Sequence, residues 1–165
     1  MKQAGWSIQA YSGDNMIKFL ASEGSPATKA RLIEIRDRMQ AHGFPVTALA
    51  AGGRQWNDKL RDLAKGVFNT VRVASGGVPQ EYPFSDPLYV KNGATESLSA
   101  NNTIDGLTAV LSSHKLPKHV QIFIVHKVGD NGDPSYSIPL DTFTSFSDLL
   151  AREVAAGQIR VITIR

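Results

Sequence analysis

Residues 46–56 read VTALAAGGRQW and decide how the first half of the chain is expected to fold. The small and apolar residues at 46–51 predict a buried strand, and Gly52-Gly53 predicts the turn that leaves it. An arginine and a tryptophan follow at once and open a predicted helix, RQWNDKLRDLAKG. A strand, a glycine turn and a helix start are also the ingredients of an anion-binding loop, so this stretch raises a functional question as well.

The same alternation extends on both sides of this stretch. WSIQAY at 6–11 and FNTVRVAS at 68–75 predict two more strands. Between the first two strands lies a helix that Ser25 can cap and that Gly43 ends. The first half therefore predicts the order strand, helix, strand, helix, strand, which is typical of a layered α/β arrangement.

Residues 77–102 differ in character and predict a long ordered loop. The segment contains three prolines, repeated glycine and asparagine, and no sustained periodicity. Its aromatic residues argue against disorder, because such side chains favour burial. We expect either one compact domain of 165 residues or two lobes, 1–76 and 103–165, joined by this loop.

The last third predicts a helix, a hairpin, a second helix and a strand. NTIDGLTAVLSSHK reads as a helix, and the almost continuously apolar residues 119–128 as a central strand covered on both faces. Asn131-Gly132 predicts the hairpin turn to a returning strand. Ser145 and Asp148 predict the capped start of the next helix, and QIRVITIR predicts the last strand. The whole chain predicts an α/β or α+β fold, with a mixed sheet and flanking helices.

Composition argues against several classes of function. The chain has no cysteine, which excludes disulfides, thiolate nucleophiles and cysteine-based metal sites. No signal-peptide pattern and no run of about 18 apolar residues occurs, so we expect a soluble cytoplasmic protein without a membrane partner. Motifs for nucleotide cofactors, serine hydrolases, zinc peptidases and kinases are missing too. We therefore assign no cofactor, no metal site and no catalytic residue, and the balance is against an enzyme.

Charge is distributed unevenly along the chain. Residues 1–76 hold 11 lysines and arginines against 6 acidic residues, a net +5, whereas residues 77–165 hold 7 against 9, a net −2. A basic half attracts nucleic acid or another acidic partner, although a solvated surface with a slight basic bias is the alternative. The candidate nucleic-acid contacts are Lys29, Arg31, Arg36, Arg38 and Arg54.

Two further groups of residues are candidate sites. Tyr82, Phe84 and Tyr89, in the aromatic loop 80–92, are candidates for contact with a protein partner. Gly52, Gly53 and Arg54 are a weaker candidate anion site, because they lack the spacing of a phosphate loop and also fit a plain turn.

These features predict a non-catalytic binding or assembly module whose partner is a macromolecule, either nucleic acid or a protein. The alternative is a small α/β enzyme, or an anion- or ligand-binding protein, that uses the Gly-Gly exits of its strands. Open α/β sheets favour that alternative site, because their ligands gather at the carboxyl ends of the strands.

Three pieces of the first 77 residues resemble the SPOR peptidoglycan-binding repeat. They are WSIQAYSG, the helix that ends in HGFPV, and VRVASGG. That family has a similar strand, a helix that ends in a glycine-aromatic turn, and a late Arg-Val strand. This chain carries additional residues at 14–25 and 54–68, and we transfer no residue role from the resemblance.

Overall fold

The computed structural model describes residues 7–13, 15–52, 56–74, 79–91, 103–113, 116–129 and 137–162. Within these ranges it contains four helices, one four-stranded sheet and two two-stranded sheets, which confirms the mixed α/β or α+β class. The elements in chain order are β1 (Ala10–Tyr11), α1 (Met16–Ala41), β2 (Ala48–Ala50), α2 (Asp58–Ala64), β3 (Thr70–Val73), β4 (Gln80–Glu81), β5 (Val90–Lys91), α3 (Ile104–Ser113), β6 (His119–Val120), β7 (Lys127–Val128), β8 (Ser137–Ile138) and α4 (Leu140–Ala155).

The chain divides into two compact units. Unit 1 takes in the described residues of Met1–Ala74 and Phe84–Lys91, and unit 2 takes in those of Ser75–Pro83 and Asn92–Ile162. The long predicted loop is therefore shared between the units and does not only join them.

Unit 1 is built on a parallel sheet with the strand order β1, β2, β3, β5. The first two crossovers advance in the same direction across the sheet, so right-handed connections place α1 and α2 on one face. The two helices pack against each other there. Ala10, Leu49 and Val71 are register partners, and all three are buried in one apolar cluster with Leu32 of α1 and Leu60 of α2. This layer is the core of unit 1.

The first strand is shorter than predicted because a side chain replaces part of its ladder. The Gln9 side-chain oxygen accepts hydrogen bonds from the backbone N–H groups of Thr47 (3.0 Å) and Ala48 (2.9 Å). Since the amide side chain already satisfies these two donors, backbone pairing with β2 begins only at Ala10.

A break at Gly24 divides α1 into two segments. Gly24 has φ 78° and ψ 177°, a conformation that is open to glycine and costly for other residues. The second segment resumes at Ser25 and ends at Ala41, just before Gly43, as the sequence predicts. The predicted start of α2 at Arg54 is wrong: the helix begins at Asp58, because Asn57 caps it by accepting a hydrogen bond from the Leu60 N–H.

Residues 84–91 of the predicted loop fold into unit 1. A short 3₁₀ turn at Pro87–Tyr89 leads into β5, which pairs in parallel with β3. The Trp56 indole donates to the Leu88 carbonyl at 3.1 Å, and Arg61 pairs with Asp86 at 2.8 Å. A two-residue strand has no detectable periodicity, so the sequence gives no sign of β5.

Unit 2 has a small core between α3 and α4. Leu107, Ile138 and Phe146 are its buried cluster, and the ring of Phe123 meets that of Phe146 edge-on at a centroid distance of 5.2 Å. Strand β4 pairs antiparallel with β6, and β7 pairs in parallel with β8.

The hairpin prediction for unit 2 is wrong. Only the two ends of residues 119–128 are strands, and the half-buried middle of the run packs with the core through Phe123. Strand β8 runs parallel to β7, whereas a hairpin would make it antiparallel, and the predicted turn at Asn131-Gly132 lies outside the described residues. An apolar run does not encode strand direction, and here the burial of Ile138 beside Leu107 and Phe146 holds the returning strand in place.

The end of the chain also differs from the prediction. Helix α4 begins at Leu140, five residues before the predicted cap at Ser145. The Thr144 and Ser147 hydroxyls donate to the carbonyls of Leu140 and Phe143, each four residues back, so these polar residues lie within the helix. The described residues of the predicted last strand, 158–162, have no strand structure.

Candidate functional site

The arginines of α1 that were predicted to contact nucleic acid are ion-paired within the helix. Arg31 and Arg38 both pair with the Glu34 carboxylate, the former at 2.8 Å. Arg36 pairs with Asp37 at 2.7 Å. Three cations and two carboxylates leave a net charge of +1 on this group. The paired carboxylates therefore reduce the charge that the helix presents to a phosphate backbone.

The structure describes one of the two other candidate nucleic-acid contacts. Lys29 is exposed on the same segment of α1, whereas Arg54 lies outside the described residues. Hydrogen bonds from Arg31 and then from Arg38 hold the pKa of the exposed Glu34 carboxyl below its usual range. Glu34 thus remains the anionic centre of the group, and nucleic-acid binding by α1 stays a prediction.

An open groove lies in the elbow of α1. It is lined by Phe19 from the first segment and by Ala27, Ala30, Arg31 and Glu34 from the second. The Gly24 break creates this groove, because it sets the two segments at an angle. The lining of the groove combines three apolar side chains with the Arg31–Glu34 ion pair.

The three aromatic residues predicted to meet a protein partner are divided between the units. Phe84 and Tyr89 belong to unit 1, where both are half-buried and Tyr89 packs against the core cluster. Tyr82 belongs to unit 2, and 51% of its surface is exposed. Contact of these residues with a partner stays a prediction.

The predicted anion site at the end of β2 is described only at Gly52. Its backbone N–H donates to the Ser12 hydroxyl at 2.8 Å, so this donor is already satisfied inside unit 1. Gly53 and Arg54 lie outside the described residues. Anion binding by a glycine loop at this point therefore stays a prediction.

A row of side chains that the sequence did not single out crosses the other face of the sheet. Tyr11, Ala50 and Arg72 are register partners on three neighbouring strands, so their side chains share one face. This face is opposite to the one that carries Leu49 and Val71, because successive side chains of a strand point to opposite faces of the sheet. The only sequence signal was a charged residue between two valines in the predicted strand VRVAS.

Arg72 is a half-buried cation at this row. Within the described part of the chain, its guanidinium makes no ion pair and no hydrogen bond. Burial lowers the pKa of Arg72, and the neighbouring Tyr11 phenol acts in the opposite direction. The group stays charged nevertheless, since arginine is not deprotonated in proteins.

The exposed large apolar side chains are concentrated in unit 2. Nine such residues occur in the described ranges, and all except Tyr11 belong to unit 2. The eight are Tyr82, Leu116, Val125, Val128, Leu140, Val154, Val161 and Ile162. Scattered single residues of this kind are ordinary, but eight of these nine belong to the unit with the smaller buried cluster.

One side of α4 carries part of this apolar surface. Leu140 is 61% exposed and Val154 is 42% exposed. They are fourteen residues apart, close to four helical turns of 3.6 residues, so they lie on the same side of the helix. Ser147 and Ala151, both exposed, fall between them on that side. We call Leu140, Ser147, Ala151 and Val154 the α4 stripe.

The described ranges lack two further features, a cluster of metal ligands and a membrane-spanning helix. They contain no group of three or more histidine, aspartate or glutamate side chains that could hold a metal ion. None of their helices is both long and apolar enough to cross a membrane.

Comparison of the chain with protein-family models, with curated proteins and with solved structures gives no match. No family is therefore assigned, the SPOR repeat included.

Proposed function

We propose that the protein is a non-catalytic binding module that associates with another protein through the α4 stripe of unit 2. The observation that carries this proposal is the concentration of exposed apolar side chains in unit 2. Removal of exposed large apolar side chains from water is favourable, at roughly 25 cal/mol for each Å² buried. A partner protein supplies the surface that achieves this.

The shape of the α4 stripe favours a helical partner. The distance along the helix from Leu140 to Val154 is about 21 Å at the usual rise of 1.5 Å per residue. Large residues lie at its two ends and small ones, Ser147 and Ala151, lie between. Small residues allow a second helix to approach to about 8–10 Å between axes, while the end residues pack on either side of it. An amphipathic helix is thus the partner that fits this surface.

Site-specific photo-cross-linking in cells tests the proposal. A photoreactive amino acid replaces Ala151 on the stripe or, as the matched control, Arg152 on another side of the same helix. We expect one cross-linked protein product of defined mass from position 151 and none from position 152. The double variant Leu140→Asp/Val154→Asp should abolish the product. It replaces the apolar ends of the interface with two charges, and burying these charges against the partner is costly.

Salt and nuclease treatment separate a protein partner from nucleic acid. Apolar contacts persist between about 50 and 200 mM salt, whereas binding through phosphate contacts weakens steeply over that range. The proposal is wrong if position 151 gives no discrete product, if positions 151 and 152 give the same products, or if nuclease removes the product.

A further inference from the structure

The row formed by Tyr11, Ala50 and Arg72 has the geometry of a small binding site. Neighbouring strands are about 4.8 Å apart, so the Cα atoms of Tyr11 and Arg72 are separated by about 10 Å. Ala50, whose side chain is a methyl group, is the register partner between them. Two long polar side chains therefore stand on either side of a small floor residue, on one face of the sheet.

Gly52 allows the Tyr11 hydroxyl to lie close to this row. A Cβ atom at position 52 would stand 3.0 Å from the Tyr11 hydroxyl oxygen and 3.2 Å from the Ser12 hydroxyl oxygen. The Tyr11 ring thus leans from β1 onto the exit of β2, where only a residue without a side chain leaves room. This position brings a hydroxyl donor to the carboxyl end of the central strands, where ligands bind in open α/β sheets.

The charge of the row identifies the kind of ligand. Arg72 is half-buried and has no carboxylate partner among the described residues. An anion that binds there gains a charge-assisted, bidentate interaction with the guanidinium and a hydrogen bond from a hydroxyl. One guanidinium balances one negative charge, which matches a carboxylate or a phosphodiester better than a phosphate dianion.

We infer that unit 1 binds a monoanionic oxyanion group over Ala50, between the Tyr11 hydroxyl and the Arg72 guanidinium. This site shares no residue with the α4 stripe, since all its residues belong to unit 1. It can therefore be tested whether or not the α4 stripe binds a protein.

An NMR titration of the full ¹⁵N-labelled chain tests the inference. The probes are sodium acetate and sodium dimethyl phosphate, each exchanged against sodium chloride at constant ionic strength. We expect saturable shifts of the Arg72 Nε–H signal and of the Gly52 amide, with a Kd on the order of 1 mM. Acetate alone would identify a carboxylate site, dimethyl phosphate alone would identify a phosphodiester site, and either result supports the inference.

Four variants relate the shifts to the row. Arg72→Gln should weaken binding by about tenfold or more, because it removes the charge. The affinity of Arg72→Lys should lie between those of Arg72→Gln and the wild type, because lysine keeps the charge but cannot form the bidentate interaction. Gly52→Ala displaces the Tyr11 hydroxyl and should weaken binding by about 2–10-fold. Arg36→Gln is the matched control, since Arg36 is also half-buried but pairs with Asp37, and it should bind as the wild type does.

Two outcomes overturn the inference. The first is the absence of a saturable shift with both anions at concentrations up to about 100 mM. The second is a set of shifts that Arg72→Lys, Arg72→Gln and Gly52→Ala all leave unchanged. If Arg72→Gln fails to fold, Arg72→Lys and Gly52→Ala still test the inference.

Discussion

Unit 1 and unit 2 differ most in the size of their cores. The described part of unit 1 buries a cluster of fifteen apolar residues between a parallel sheet and two helices. The described part of unit 2 buries a cluster of three. Domain stability is a small difference between large opposing contributions, so a unit with few buried side chains depends strongly on each of them.

The number of exposed large apolar residues differs in the opposite direction, since unit 2 has more of them than unit 1. Unit 1 has one exposed large apolar residue in the described ranges, Tyr11. Unit 2 exposes eight. If the proposed function is correct, unit 2 gains stability when a partner covers its exposed apolar side chains, whereas unit 1 depends on its own larger core.

The largest expected effect follows from truncating the core of unit 2. Phe146→Ala should cost about 3–5 kcal/mol, because it removes one of the three side chains in the buried cluster and its edge-to-face contact with Phe123. We expect it to abolish protection of the α3 amides in hydrogen exchange, while those of β2 and β3 remain protected. Leu140→Ala is the matched control in the same helix, and as an exposed substitution it should change stability by less than about 0.5 kcal/mol. Protection of α3 that survives Phe146→Ala would contradict this account of unit 2.

The corresponding truncation in unit 1 should weaken it without unfolding it. Leu49→Ala, on a central strand, should cost about 2–5 kcal/mol, but fourteen other residues of the cluster remain. Chemical denaturation followed by Trp56 fluorescence measures this, in a Trp6→Phe background that leaves Trp56 as the single tryptophan. Lys59→Ala on the exposed side of α2 should leave the midpoint almost unchanged. If Leu49→Ala abolished the folded signal of Trp56, the two cores would be equally fragile and the comparison would fail.

The secondary structure of unit 1 was more predictable from the sequence than that of unit 2. The helices and central strands of unit 1 were predictable, because strand and helix periodicities alternate clearly around VTALAAGG and Gly43 marks an end. Gln9 shows the limit: its side chain takes two β2 donors that a backbone strand was expected to fill. In unit 2, an apolar run at 119–128 predicted burial but not pairing, since packing of Phe123 against Phe146 depends on contacts distant in sequence.

The candidate sites were less predictable than the fold. Lys29, Arg31, Arg36 and Arg38 were visible as a basic run, but the pairing of three of them with Glu34 and Asp37 depends on rotamers and helix geometry. Arg72 was not singled out, because a row across three strands requires their order and register. The α4 stripe required the true start of the helix at Leu140.

A smaller effect is expected at the elbow of α1, where the backbone of unit 1 has a conformation that favours glycine. Gly24→Ala should lower stability by about 1–3 kcal/mol, because φ 78° with ψ 177° is accessible to glycine and not to alanine. Thermal unfolding measures the loss, and Ala21→Gly at an exposed helical position should cost only about 0.5–1 kcal/mol through helix propensity. A Gly24→Ala variant that is more stable and more helical would mean that α1 straightens, and that the core of unit 1 does not hold the elbow.

The smallest expected effect concerns the surface charges of unit 1. Because Arg31 and Arg38 lower the pKa of Glu34, the stabilisation from this group is fully present above the ordinary glutamate pKa of about 4.3 and is lost as the pH falls through the lowered value. Glu34→Gln should therefore remove a small part of the acid-induced loss of stability, as measured by denaturation from about pH 6 to about pH 3. Glu23→Gln removes an exposed carboxyl from the same helix and is the matched control. About 1 M salt should shrink the difference, because it screens exposed pairs. A difference that persists in salt would mean that Glu34 stabilises the protein through packing and not through charge. That result would contradict a stabilising role for the ion pairs of Glu34 with Arg31 and Arg38.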